Sequence, residues 1–389
     1  MSTPQTLRAV LTAAVLLAGS ANSLLQAQSS TTDVVASNLQ APSHVHMTPR
    51  GNLLVVESGA ATNAGRISMV TPSGARRSVI EGLPAAIEGQ GDYSGPQDAA
   101  LMGRNLYVVI GGGDVEGSGP TPGTVVPNPK GISSILFSSL LRFTLSNDID
   151  AIQGSFTLTP SQHQTLWDGE TLRLRNSLGE EAEVEMVVDF RDTVPDARSI
   201  YRGSNPYAIN VGPDGTAWIA DASLDAIYRV DLRSGRARIA TRFESIPNPL
   251  PIGPPRVDAV PNSVVPFGDG FLVTQLSGFP FASGTARIQH YNPRTGTVSP
   301  FINGLTMALD VAVMERPQQR PRFYVIEFST NLLATPPAPG RLTVYDSPEG
   351  RVVKADLVTP TSIALDPRTG DAFITERATG RLLRVRVTP

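Results

Sequence analysis

No cysteine occurs anywhere in the chain, so disulfide staples, thiol catalysis and zinc–thiolate sites are excluded. Stability has to come from an apolar core. Charged residues are scarce, at 17% of 389 residues, and the formal net charge is only −3. Lys130 and Lys354 are the only lysines, and no basic stripe with interleaved aromatics is present, which argues against a nucleic-acid partner. After residue 27 the chain shows no helical period. Its longest apolar run, residues 9–19, is too short for a membrane span, which needs about 20 residues. That run follows Arg8 and precedes small and polar residues ending near Ala27, which is the anatomy of a signal peptide, with cleavage after Ala27 or Ser23. The expectation is an exported protein, secreted or periplasmic, monomeric and without a membrane span.

Turn formers are abundant instead, with 35 glycines and 33 prolines. Residues 205–231, NPYAINVGPDGTAWIADASLDAIYRVD, show how they are used. Short runs rich in β-branched and aromatic residues alternate with the turns Gly212-Pro213-Asp214-Gly215 and Ala222 to Asp225, giving three strands that Arg238 to Phe243 extends to a meander of four antiparallel strands. The unit recurs six times. First strands start at Pro42, Pro96, Pro206, Pro261, Ala308 and Pro360, and second strands read LLVVES, LYVVIG, AWIADA, FLVTQL, FYVIEF and AFITER. Repeated four-stranded units predict an all-β, six-bladed β-propeller spanning residues 33–389.

The interval from Pro96 to Pro206 is about twice the others, so a seven-bladed ring is the alternative. Residues 146–183 lack the proline start and the second-strand pattern, which favours an insertion, with a hairpin around Asn176-Ser177-Leu178-Gly179. Joining a third strand to a fourth, it should project from the face opposite the long loops and be replaceable by a short turn. The last copy ends after its third strand, while Asp33-Val34-Val35-Ala36-Ser37 matches a fourth strand. The N-terminal strand is therefore expected to complete the last blade and close the ring.

Long loops follow the second strands, over 111–133, 277–285 and 329–340, whereas turns between first and second strands are mostly tight. Binding sites favour long loops on rigid scaffolds, so the mouth bearing them is the expected site. Two columns of residues converge there. The second-strand ends contribute Glu57, Asp221, Glu327 and Glu376, and the first-strand starts contribute His44, Asp98 and Asp310. Two readings stand for the acids. They support turns by accepting backbone N–H bonds, or they hold a cation, an amine or a polyhydroxylated ligand. His44 and His46 point to one side of a strand, as metal ligands or as hydrogen-bonded residues between blades.

The stretches GPQDAAL, LYVVIGGG, SNPYAINVGPDGTAWIADASLDAIYRVD and QLSGFPFASGTARIQHYNPRTG resemble the ScyD/ScyE family of exported bacterial β-propellers, and single units are similar to NHL repeats. The resemblance implies a secreted propeller without agreed catalytic residues. A divalent-metal-dependent lactonase or hydrolase is the alternative. In lactonase-like six-bladed propellers a calcium ligand follows the first-strand proline, and that column here reads Ser43, Gln97, Tyr207, Asn262, Leu309 and Thr361. Only Asn262 and Gln97 suit calcium, which takes six to eight oxygens. No cofactor is expected, with calcium on Asp98 and Asp310 left open. The function expected is binding of a ligand or partner at the channel mouth without catalysis.

Overall fold

A computed structural model describes residues 32–89, 91–120, 125–193, 203–346 and 350–387; the signal peptide expected over 1–27 lies outside them. Six antiparallel sheets form the blades of a propeller. Their innermost strands are Pro42–Met47, Pro96–Met102, Pro206–Val211, Val265–Phe267, Ala308–Met314 and Pro360–Leu365, and the next strands outward follow in chain order, except that the outermost strands of the last and second blades are Thr32–Ala36 and Leu172–Arg175. In the fourth blade Pro261 adds an isolated bridge to Gln275 ahead of the inner strand. Among the described residues no helix is long and apolar enough to cross a membrane.

The second strands show why their sequences are apolar without alternation. In Leu53–Glu57 every residue is buried. Leu53 and Val55 pack toward the sixth blade with Phe373 and Leu382, while Leu54 and Val56 pack toward the second blade with Leu106 and Val108. A blade between two neighbours buries both faces, so the period-two signal of a half-exposed strand disappears. Each remaining blade junction has its own apolar cluster, so the ring holds six blades and the seven-bladed alternative is set aside.

One corner recurs in all six blades. The carbonyl of the residue before the inner strand accepts the N–H that follows the second strand: Ala41 from Ser58, Gly95 from Gly111, Asn205 from Ala222, Val260 from Leu276, Met307 from Phe328 and Thr359 from Arg377. In four of these corners that residue is a non-glycine in the left-handed region, with φ of 48° at Ala41, 54° at Val260, 49° at Met307 and 49° at Thr359. The next residue but one then forms a bulge. Pro42 opposes Glu57 and His44 opposes Val56, leaving Ser43 unpaired, and Gln97, Tyr207, Leu309 and Thr361 repeat this.

The insertion does sit near the tight turns, where Asp150 accepts from Thr48 at 2.7 Å and from Asn52 at 2.8 Å. It is no projecting appendage, however. Phe156–Thr157 adds a parallel strand to the outer strand Arg76–Leu83 of the first blade. Leu172–Arg175 hairpins onto Glu181–Asp189 through the expected turn. Between them stands a helix, Pro160–Trp167, which the sequence reading did not anticipate; Thr159 and Gln162 form its capping box, with Pro160 in the first turn. Ile149, Ile152, Phe156, Leu158 and Leu166 are buried in the cluster shared by the first two blades. Gly82 permits this contact, because any Cβ there would collide with the Leu158 carbonyl. Expected tolerance to replacement by a short turn is therefore reversed.

The ring closes as expected, with Thr32–Ala36 pairing antiparallel to Arg381–Val385 as the fourth strand of the last blade. Its anchoring differs in detail. Val34 is 54% exposed, so Ala36 and Leu39 supply the burial. Asp33 adds ion pairs to Arg384 at 2.8 Å and Arg386 at 2.6 Å.

Two outcomes follow from this packing. Phe156→Ala should cost about 3–5 kcal/mol by the usual penalty for emptying a core aromatic site; a loss below about 1 kcal/mol in urea unfolding would make the insertion dispensable. Deleting residues 32–39 removes about 1.5–3 kcal/mol from Leu39 alone and about 0.5–1.5 kcal/mol for each ladder hydrogen bond. Against a typical total of about 5–15 kcal/mol, the truncated protein should melt far lower, and an unchanged Tm would refute closure by this strand.

Candidate functional site

The seven residues singled out at the mouth divide into two sets. Glu57, Asp221, Glu327 and Glu376, at the ends of second strands, are each held within their own blade. Glu57 accepts from the Gln40 N–H at 2.5 Å, from Ser68 at 2.5 Å and from Arg76 at 2.8 Å. Glu327 accepts from the Thr306 N–H at 2.7 Å and from Arg341 at 2.9 Å, and Glu376 from the Val358 N–H at 2.7 Å and Arg381 at 2.6 Å. Asp221 accepts from Ser204 at 2.5 Å and from the N–H groups of Asn205, Ser223 and Leu224. All four carboxylates brace the recurring corner. Their donors come from their own blade and its linker, so they do not meet at a common point.

His44, Asp98 and Asp310 do converge, joined by Ser362. They occupy the third position of inner strands, and each bonds the next blade around the channel. Asp310 accepts from the Ser362 hydroxyl at 2.8 Å and the Ile363 N–H at 3.0 Å. Ser362 accepts from the Val45 N–H at 3.3 Å, His44 Nδ1 donates to the Gln97 carbonyl at 2.7 Å, and Asp98 accepts from the Ile209 N–H at 2.9 Å. His46, two residues along, donates from Nε2 to Asp98 at 2.5 Å and stacks 6.1 Å from the His44 ring. Burial opposes the charged form of His46, yet the Asp98 carboxylate prevails and holds its pKa above the usual histidine range. Burial likewise pushes Asp98 upward, and the two imidazoles with the Ile209 N–H bring it below the usual range. At Asp310 burial prevails and leaves the pKa raised, although the His44 imidazole and the bonds from Ile363 and Ser362 act in the same lowering direction.

The long-loop end of the channel is covered at its centre. Tyr207, a bulge residue of the third blade, reaches across to lie edge-on to His44 with ring centroids 5.5 Å apart. Burial raises its phenol pKa. Above it the hairpin Ala86–Ile87 with Tyr93–Ser94 is pinned by Arg377, which bonds Asp92 at 2.9 Å and the Tyr93 carbonyl. The long loop over 111–133 forms a second hairpin, Glu116–Ser118 with Val125–Pro127, tied to the first through Ser118 and the Gly89 carbonyl. Glu88 in this roof is pushed up to about 8 by burial and by the neighbouring Asp92 carboxylate. Sequence reasoning passed over Arg377, although it directly follows Glu376 at the end of a second strand.

The opposite end is open. A cavity of about 710 Å³ is lined by His46, Leu54, Ala100, Ile209, Asn210 and Leu365 among others, with Arg50 and Arg368 at its rim. The His46 side chain is 40% exposed there, while that of Asp98 behind it is 3% exposed. Thus the tight turns, not the long loops, frame the access to the converging residues.

Among the described residues no three of His, Asp and Glu could hold one ion. The bulge column is also engaged elsewhere: Ser43 donates to the Pro96 carbonyl at 3.3 Å, Thr361 to the Pro42 carbonyl at 2.9 Å and Gln97 to Ser94 at 3.4 Å. Asn262 Oδ1 alone in that column is buried without a partner.

The roof generates a pH prediction. A glutamic acid whose folded pKa is raised binds its proton more tightly when the hairpin is docked. Stability of the docked roof should fall as pH rises from the ordinary 4.5 toward about 8, and level off above that. Hydrogen exchange of the hairpin amides, corrected for intrinsic rates, should show this fall in wild type and not in Glu88→Gln. The same slope in both proteins would remove Glu88 from the account.

No protein-family model matches the chain, and no curated protein matches it in sequence. Solved structures do share the fold. The soluble aldose sugar dehydrogenase of Escherichia coli in its apo form has 12% sequence identity over 92% of this chain and 99% of its own, with a TM-score of 0.52. A PQQ-bound aldose sugar dehydrogenase from Streptomyces coelicolor has 13% identity over 92% and 99%, with a TM-score of 0.49. A virginiamycin B lyase from Staphylococcus aureus has 14% identity over 92% and 100%, with a TM-score of 0.43. At such identities the first of these likenesses establishes the propeller fold and nothing about chemistry, and the other two carry no further argument.

Proposed function

We propose that the protein is an exported, monomeric, non-catalytic propeller of the ScyD/ScyE type that binds a small molecule in its channel, entered from the tight-turn end. The observation carrying this reading is His46, fixed at 2.5 Å by the buried Asp98 and 40% exposed to a cavity of about 710 Å³. Ligand pockets typically measure about 300–1,000 Å³ and combine apolar walls with a few placed polar groups. Here Leu54, Ala99, Ala100, Leu101, Ile209, Val211 and Leu365 form the walls. The raised pKa of His46 favours an N–H donor at the floor, suited to an acceptor on a largely apolar molecule.

The site residues support binding over turnover. The titratable groups lining the cavity are His46, Arg50 and Arg368, and Thr48 already donates to Asp150 at 2.7 Å. Among the described residues His46 is thus the one lining group that could exchange a proton, its partner Asp98 is 3% exposed behind it, and no free side-chain nucleophile lines the cavity beside them. The exported character rests on the signal-peptide pattern of residues 1–27 and on the sequence stretches that resemble ScyD/ScyE.

A thermal-shift screen over aromatic pigments, sugars and divalent metals tests this. A ligand at a hundredfold excess over Kd should stabilise the wild type by about 2.7 kcal/mol. His46→Ala should weaken that response, and Ala100→Trp, which fills the cavity, should abolish it. A ligand response that survives Ala100→Trp would place binding elsewhere. Calcium-dependent hydrolysis of a lactone, lost in His46→Ala, would overturn the non-catalytic reading.

A further inference from the structure

The fourth blade keeps the arginine of the corner brace without its acid. In the first, fifth and sixth blades the glutamate ending the second strand lies opposite an arginine on the third strand: Glu57 opposite Arg66, Glu327 opposite Arg341 and Glu376 opposite Arg381. Each of these glutamates forms an ion pair, with Arg76 at 2.8 Å supplying the short contact in the first blade. The fourth blade keeps the arginine at the same register position, Arg287, and places Gln275 opposite it. Here the guanidinium meets a neutral partner. Its Nε donates to Gln275 Oε1 at 2.6 Å and its Nη2 reaches the Glu244 carbonyl only at 3.4 Å.

Among the described residues no carboxylate oxygen lies within 4 Å of Arg287, which is half-buried. Burial lowers its pKa, and the acid acting against this is the exposed Glu244. A second and independent feature stands beside it. A cavity of about 440 Å³ opens there, lined by Arg287, Ser283, Thr285, Asn303 and Asn248, with Ile246 and Pro247 as an apolar wall. The Ser283 hydroxyl is exposed at this wall, 3.1 Å from that of Thr306.

We propose that this cavity is a binding site for a small hydroxy-carboxylate of sugar-acid size, whose carboxylate pairs with Arg287 from the cavity side and supplies the negative charge that Gln275 does not. A guanidinium fork presents parallel N–H groups that match the two oxygens of a carboxylate, and such charge-assisted pairs are about twice as strong as neutral ones. Glutamine satisfies the Nε–H and supplies no charge, the Glu244 carbonyl takes one Nη2–H at 3.4 Å, and Arg287 lines the cavity with no carboxylate among its partners. The hydroxyl of Ser283 and the amide of Asn303 suit hydroxyl groups on the same ligand. None of the lining residues is shared with the His46 cavity, so the two sites are separate.

Glucuronate is the probe, with glucose as the neutral analogue and chloride as the control at matched ionic strength. Glucuronate should raise the Tm of wild type saturably, and glucose and chloride should not. Gln275→Glu rebuilds the internal pair, so this variant should melt higher than wild type without ligand and lose the glucuronate response. Arg287→Gln should lose the response as well, and His46→Ala should keep it, which separates this proposal from the channel reading. The proposal is overturned if glucuronate shifts wild type no more than chloride does, or if Gln275→Glu responds to glucuronate as wild type does.

Discussion

The structure depends on the corner at which each blade enters its inner strand. A carbonyl before the strand accepts the N–H just beyond the second strand, in every blade. At Ala41, Val260, Met307 and Thr359 this places a residue with a Cβ in the left-handed region, at roughly 1–2 kcal/mol each. The penalty is sustained because the corner is fixed several times over. In the fifth and sixth blades, Glu327 and Glu376 hold the N–H groups of Thr306 and Val358 as well as an arginine. Once the corner is set, the bulge follows, and the third residue of the inner strand faces the channel with the next blade's backbone in reach. The girdle from Asp310 through Ser362, His44 and Asp98 to Ile209 is a consequence of that placement.

Much of this was legible in the sequence because it is written in repeating residues. The prolines at 42, 96, 206, 261 and 360 and the apolar second strands recur in register, so six blades and the closing strand could be read directly. The insertion was harder. Thr159-Pro160-Ser161-Gln162 is a helix start with a capping box, yet eight residues are too few to display a helical period against a β background. Its burial was invisible for a different reason: Phe156 and Leu158 find their partners in Arg76–Leu83, some seventy residues earlier, and no local pattern announces a parallel addition to an outer strand.

The acids illustrate a signal that was present and ambiguous. Glu327 and Glu376 precede arginines at hairpin register, which is the spacing of a cross-strand ion pair. A column of carboxylates at one mouth equally suggests a cation site, and only the positions of Arg341, Arg381 and the linker N–H groups decide between the two. Loop length misdirected the choice of entrance. Long loops signal a site when they stand around an opening, whereas the loop over 111–133 folds into a hairpin joined to the linker hairpin of residues 86–94, which Arg377 ties down over Tyr207.

In a ring of repeats, positions that agree from blade to blade serve the fold, and positions that differ are where a single function can reside. Only the first blade has histidine at the fifth place of its inner strand; the corresponding residues are Ala100, Asn210, Val265, Ala312 and Ala364. Four small or apolar side chains and one amide leave space at that level of the channel, and His46 projects into it from a carboxylate that the girdle already requires. Asp98 therefore serves two ends at once: its bond to the Ile209 N–H joins blades, and its bond to His46 orients the imidazole. The same reasoning applies to Gln275, where a fold-serving glutamate is missing and its arginine remains. Asymmetry at these two places has no role in closing the ring, since the other blades close without it, and that is the physical ground for assigning ligands there.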